Sequence, residues 1–202
     1  GGSPMSFDNI KQAALVHFAR DGYEGASLKK IADDSGIKKP SIYAHFSSKE
    51  DLFLQVLQDV FERQEKQMES YFLQAHDQPL ELQLKGFLED RQQAYQRDDE
   101  VRFFLRMAFF PPSSLYDEVM AMVYPMLDQQ ESNLAKLLAG GCPVHGKIIR
   151  YPRKAAIAYI TLLDGIHLEI VYGGEERAAR RVDAAWPVYW IGVTKQRDSH
   201  NE

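Results

Sequence analysis

The chain has 202 residues, 45% of them hydrophobic and 26% charged, with a formal net charge of −5. That balance excludes a disordered chain, and the length suits one sizeable domain or a small one joined to a larger one. A single cysteine, Cys142, excludes an intrachain disulfide and fits a reducing compartment. No apolar run is expected to reach membrane-spanning length, and no secretory signal opens the chain. The leading GGSP reads as an appendage ahead of a native start at Met5, so a cytoplasmic protein is expected.

Hydrophobic spacing predicts helices throughout. The first covers about 7–21, with Ile10, Ala13, Ala14, His17 and Phe18 on one stripe and Gly22 as its stop. Two short helices follow at about 28–34 and 38–45. A long fourth helix starts near Ser47 or Ser48, with Glu50 and Asp51 in its first turn to complement the helix dipole. Its polar stretch 62–70 reads as solvated or linking. Further helices are expected at about 80–97, 99–110 (ended by Pro111-Pro112) and 114–139, the last with Pro125 inside. Two more are expected at about 152–172 and 175–195, with Pro187 in the second bending or breaking it at a cost of about 3 kcal/mol. No strand is expected, and residues beyond about 195 are expected to fray.

Residues 27–52, SLKKIADDSGIKKPSIYAHFSSKEDL, carry the strongest signal. Ser27 can cap the second helix, whose Leu28, Ile31 and Ala32 share a face. Gly36 stands at the sharp turn, and Ile37, Ile42 and Phe46 form the apolar side of the third helix. Lys38, Lys39, Ser41, Tyr43 and His45 are left pointing outward, as in a helix-turn-helix with an exposed recognition helix. The acidic net charge does not oppose this. Residues 1–50 hold seven basic and six acidic side chains, so the acidity lies in the remainder, beyond the reach of phosphate attraction over about 8–10 Å.

Residues 7–53 closely resemble the N-terminal domain of TetR-type transcriptional regulators. The resemblance rests on Phe18, Gly22, Tyr23, Ser27, Leu28, Ile31, Ala32, Gly36, Ile37, Tyr43, His45, Phe46, Lys49, Glu50 and Leu52 at fixed offsets. It implies a homodimer that sets two recognition helices into successive major grooves of a palindromic double-stranded DNA operator. It also implies a C-terminal domain that binds a small-molecule effector and relaxes DNA binding. The positions matching the family's DNA contacts are Lys29, Lys39, Ser41, Tyr43, Ala44, His45 and Lys49. Lys39 can donate to guanine O6/N7, and Tyr43, His45 and Lys49 to phosphates. Lys38 departs from the family, which commonly caps the recognition helix there with Ser or Thr. The lost cap costs about 1 kcal/mol, and the ammonium is available to DNA instead.

The segment 103–127 concentrates Phe, Tyr and four of the six methionines, a composition suited to an adaptable apolar pocket. The expected pocket wall is Phe87, Tyr95, Phe103, Phe104, Met107, Met120, Tyr124, Leu163 and His167, around an apolar or aromatic effector. Cys142 and His145 are too few for a zinc site, and no nucleophile elbow or phosphate loop occurs. Neither a cofactor nor enzymatic activity is expected.

The expectation is therefore an all-α protein, with a helix-turn-helix domain over 6–50 joined by a long helix to a ligand-binding and dimerisation domain over 51–197. The last two helices are expected to form the dimer seam, with Ala155, Ala156, Ala178 and Ala185 allowing close approach and Trp186, Tyr189 and Trp190 as anchors. A ligand-released repressor with no membrane contact is the leading function. The alternative is a DNA-bound adaptor whose helical body docks a protein, and an enclosed apolar cavity would favour the first.

Overall fold

The computed structural model describes residues 7–140 and 147–196, the side chain of Gln196 excepted. Cys142 and His145 lie outside the described residues, as do GGSP and the residues after 196. The described chain is all-α apart from one small ladder. The helices are α1 (Phe7–Gly25), α2 (Leu28–Asp34), α3 (Lys39–Ile42), α4 (Lys49–Gln74), α5 (Leu80–Arg97), α6 (Asp99–Phe109), α7 (Tyr116–Gly140), α8 (Pro152–Gly173) and α9 (Glu175–Val193). A short 3-10 turn, Ser113–Leu115, precedes α7.

These elements form two compact units. One comprises residues 1–64 and 98–123, the other 65–97 and 124–202, so the divisions fall inside α4 and α7. In the first unit, α1 packs on α2 and α6, and α2 on α3. Ile10, Ala14, Phe18, Ile31, Ile42 and Phe46 close the helix-turn-helix core, each at most 1% exposed. Phe53 is its hub: its ring lies 5.0 Å from Phe18, 4.8 Å from Tyr23 and 6.2 Å from Phe103. Edge-to-face aromatic pairs of this kind add about 0.5–1.5 kcal/mol beyond burial.

Local chemistry explains the boundaries. Gly22 takes φ 72° and ψ 179° within α1 and ends its regular part where expected, leaving one more turn to Gly25. Gly36 (φ 69°) makes the turn between α2 and α3, a left-handed conformation that glycine adopts without a Cβ penalty. Ser48 Oγ accepts the Asp51 N–H at 3.0 Å while Asp51 accepts the Ser47 N–H at 2.9 Å, so reciprocal bonds begin α4. The stretch 62–70 is continuous helix with a solvated face, although Gln64 and Met68 are buried within its polar run.

In the second unit, α8 packs against α9 and α5. Tyr159, fully buried, donates its hydroxyl to the Leu84 carbonyl at 2.6 Å, and Tyr189 donates to the Ala155 carbonyl at 2.8 Å. Pro187 sits inside α9 without ending it. Two three-residue strands, β1 (Lys147–Ile149) and β2 (Thr194–Gln196), pair antiparallel, against the expectation of no strand. Three residues carry no usable periodicity; the ladder exists because the α8–α9 hairpin returns the chain beside its own entry. By length and mean hydropathy (1.4) α8 reaches the level of a membrane-crossing helix, which the sequence reading missed. Its buried face serves the packing on α5 and α9.

Candidate nucleic-acid interface and ligand cavity

The third helix is shorter than expected. Regular α3 covers Lys39–Ile42, and Tyr43, Ala44 and His45 continue as turns, with the His45 and Phe46 N–H groups donating to the Ile42 carbonyl at 2.9 and 3.0 Å. Lys38 stands at the N-cap without a side-chain capping bond, and Pro40 fills the first turn, where a missing N–H costs nothing. Ile42 and Phe46 turn inward. Lys29, Lys38, Lys39, Ser41, Tyr43, Ala44 and His45 are all exposed, with Tyr43 at 51% despite its aromatic ring. They lie on α2, on α3 and its N-cap, and in the turns after α3.

Lys49 is the exception among the DNA candidates. It is half-buried, its ammonium 3.3 Å from the Glu24 carbonyl and 4.6 Å from the centre of the Tyr23 ring. That arrangement ties the start of α4 to the end of α1. His45 combines two roles, for its exposed ring also lies 6.2 Å from Phe7 in an edge-on contact.

One residue in this unit was read only as part of an apolar stripe. His17 is 2% exposed, with Nε2 2.5 Å from an Asp34 carboxylate oxygen at the end of α2 and Nδ1 3.1 Å from Arg20 Nη2. Arg20 in turn bonds Asp21 at 2.9 Å. A neutral imidazole carrying its proton on Nε2 satisfies both contacts: it donates to Asp34 and accepts from Arg20. This chain of bonds fixes the end of α2, just before the Gly36 turn, against α1. The clue in sequence was a histidine on an otherwise apolar face. We predict that His17→Leu keeps the core filled yet loosens that register. Operator affinity is expected to fall about fivefold, on the order of one hydrogen bond, while His17→Gln restores most of it. A DNA titration with both variants checks this, and an unchanged affinity in His17→Leu would refute it.

The nine expected pocket residues do not share one unit. Phe103, Phe104, Met107 and Met120 belong to the first unit, where Phe103 packs on Phe53 and Phe104 on Phe61 at 5.0 Å. Phe87, Tyr95, Leu163 and His167 are buried in the second unit, while Tyr124 is 59% exposed. A cavity of about 110 Å³ in the second unit lies instead between α4 and α7, lined by Glu65, Met68, Glu69, Phe72, Gln130, Asn133, Leu134 and Leu137. Its residues recur at i, i+3, i+4 and i+7 on both helices. That signal was legible, but it was masked by the polarity of 62–70. A more open and polar groove of about 700 Å³ runs between α7 and α8, past Glu131, Lys136, Arg153 and Ile157.

The interior of the second unit also holds unspent polarity. Nε2 of His167, Nε2 of Gln92 and Oε1 of Gln83 are buried with no hydrogen-bond partner among the described residues. Burial, with the Arg91 charge adding, pushes His167 down to about 3. Burial, with the Glu131 charge adding, pushes the Asp164 carboxyl up to about 6. The two act on stability over different ranges. His167 stays neutral in the fold, so stability falls as pH drops from about 6.5, where the unfolded imidazole begins to take up a proton. Asp164 favours the fold while neutral, an advantage complete below about 3.8 and lost as pH rises through 6. Asp164→Asn is therefore expected to raise the melting temperature at pH 8, by stabilisation on the order of 2 kcal/mol, with the gain shrinking toward pH 4. Thermal melts of both proteins at the two pH values test it, and an equal shift at both would refute it.

Residues 10–56 match the sequence profile described as bacterial regulatory proteins, tetR family. Over 46 residues the chain is 50% identical to the HTH-type transcriptional activator FasR of Mycolicibacterium smegmatis, covering 23% of this chain and 21% of that protein. Over 55 residues it is 38% identical to IcaR, a negative transcriptional regulator of the biofilm operon icaADBC in Staphylococcus aureus, covering 27% and 30%. The chain thus spans less than a third of either relative. Across nearly its whole length it has the fold of a TetR-family transcriptional regulator from Mesorhizobium loti, with TM-score 0.67 at 22% identity, covering 92% of this chain and 95% of that one. FadR of Bacillus subtilis, solved with stearoyl-CoA, superposes with TM-score 0.64 at 15% identity, covering 93% and 100%. An exposed cationic turn on a helix-turn-helix that matches this family's profile over residues 10–56, joined to an all-helical body, gives the chain the fold of these regulators.

Proposed function

We propose that the protein is a ligand-responsive transcriptional repressor that binds a palindromic operator as a homodimer and acts in the cytoplasm. The observation carrying this reading is the exposed set Lys39, Ser41, Tyr43, Ala44 and His45 on a helix-turn-helix whose Ile42 and Phe46 are buried. Residues 6–50 supply the DNA contacts and 51–197 the effector and dimer functions. The apolar cavity between α4 and α7 supports a small-molecule effector over a docked protein partner. FadR, solved with stearoyl-CoA, is a relative in fold that holds a small molecule.

The dimer seam in this reading uses α8 and α9, but not the residues first expected. Ala155, Ala156, Ala178, Trp186 and Trp190 are each at most 5% exposed within the chain itself and are spent on its own core. The available stripe is Ile157, Thr161, Gly165, Leu168 and Tyr172 on α8, with Ala184, Val188 and Ile191 on α9. Effector and operator are coupled through differential affinity for two conformations, and a tenfold loss of DNA affinity needs about 1.4 kcal/mol. The test is titration of the protein against its own upstream DNA and a scrambled fragment at two salt concentrations. Specific, salt-sensitive binding to a palindrome is expected; equal affinity for the scrambled fragment would refute the reading.

A further inference from the structure

We propose that Lys11 is a positioning residue for operator binding, tying Asp59 of α4 to the Phe7 and His45 rings at the recognition turn. This rests on the reading above that His45 meets DNA. Lys11 follows Phe7 by one turn of α1, so the two side chains share a face of that helix. Its ammonium donates to Asp59 Oδ2 at 2.5 Å and lies 4.5 Å from the centre of the Phe7 ring. The Phe7 ring in turn stacks on Phe46 at 4.9 Å and meets the His45 ring edge-on at 6.2 Å. The exposed imidazole is thereby reached from α4 through two side chains of α1, all within the first unit.

Each link has a physical reason. The first four N–H groups of a helix lack partners within it, so the first turn of α1 is held by what its side chains touch. Phe7 stands in that turn, 37% exposed, in contact with both the buried Phe46 and the ammonium, which the ring quadrupole attracts. The Lys11 side chain is 14% exposed and that of Asp59 33%, so water and salt screen this pair less than a surface pair. A second carboxylate, Asp8, lies 4.0 Å from the ammonium on the same helix as Lys11 and is 84% exposed. With a neutral side chain at 59 the ammonium is left to turn toward Asp8, and the tie from ring to α4 is lost. The His45 N–H keeps its bond to the Ile42 carbonyl, so the turn stays folded while the imidazole loses its brace.

Asp59→Asn is the discriminating variant, because removing a negative charge would by itself strengthen attraction to phosphate. The expected result is the reverse. Operator affinity falls about three- to tenfold, on the order of one hydrogen bond, with the melting temperature nearly unchanged and the His45 ring resonances shifted in the NMR spectrum of the free protein. Lys11→Met is expected to give the same loss and shift, and Lys11→Arg to restore both. In a His45→Ala background, Asp59→Asn is expected to leave affinity unchanged, because its effect runs through that ring. Unaltered His45 resonances, an affinity in Asp59→Asn equal to or above the parent's, or a loss that persists in full without His45 would overturn the proposal. A parent protein with no operator affinity would overturn the repressor reading and with it the DNA role of Lys11. A parent that binds normally beside an unresponsive Asp59→Asn overturns the role of Lys11 alone.

Discussion

Replacing Lys39 by Ala together with Tyr43 by Phe is expected to lower operator affinity about 10²–10³-fold while leaving the melting temperature nearly unchanged. Both side chains are exposed, Tyr43 at 51%, and neither has an ion pair or hydrogen bond among the described contacts. Surface changes of this kind alter stability by no more than about 0.5 kcal/mol. On DNA, a lysine on a base edge contributes about 1–3 kcal/mol and a phosphate hydrogen bond on the order of 1 kcal/mol. A dimer loses both contacts twice, which gives the large factor. The salt dependence adds a second readout. If Lys39 reads a base, the slope of log affinity against log salt is retained; if it neutralises phosphate, the slope falls by about one for each half-site. Full operator affinity in the double variant would remove these side chains from the interface.

Placing aspartates at Leu168 and Val188 is expected to convert the protein to a monomer and to abolish operator binding at concentrations that saturate the parent. Leu168 is 39% exposed on α8 and Val188 73% exposed on α9, so a single chain tolerates the change in water. In a two-fold seam each aspartate is buried twice, without a designed partner. An uncompensated charge costs about 3–5 kcal/mol when a contact buries it. One half-site alone then lacks the second set of phosphate contacts, and affinity falls toward that of non-specific binding. Sedimentation velocity at several protein concentrations measures the first effect and DNA titration the second. A variant that remains dimeric would move the seam away from this stripe.

The helix-turn-helix was legible because everything that defines it is local. Ser27, Gly36, Ser48 and the apolar positions 28, 31, 42 and 46 act through hydrogen bonds and turns within a few residues, and their offsets survive as sequence pattern. Helix positions elsewhere were legible for the same reason, through caps, glycines and 3.6-residue spacing. The pocket was not. Phe103 and Phe104 carry the same aromatic signal as a cavity wall, yet they pack on Phe53 and Phe61, partners more than 40 positions away.

Periodicity tells which face of a helix is buried and says nothing of what lies across from it. That limit accounts for the particular misses. Trp186 and Trp190 looked like seam anchors because large aromatics favour interfaces, but in α9 they complete the chain's own interior. Glu65 and Glu69 carry the signal of a solvated face, yet with Gln130 and Asn133 of α7 they line the cavity. The sequence by itself determined the all-helical class, the helix-turn-helix and its outward-facing cations, because these follow from short-range capping, turn and spacing chemistry. Only the tertiary structure decided the bond from His17 to Asp34, the site of the cavity and the exposed stripe on α8 and α9. Each of those depends on which helices meet, and that is set by packing across the whole chain.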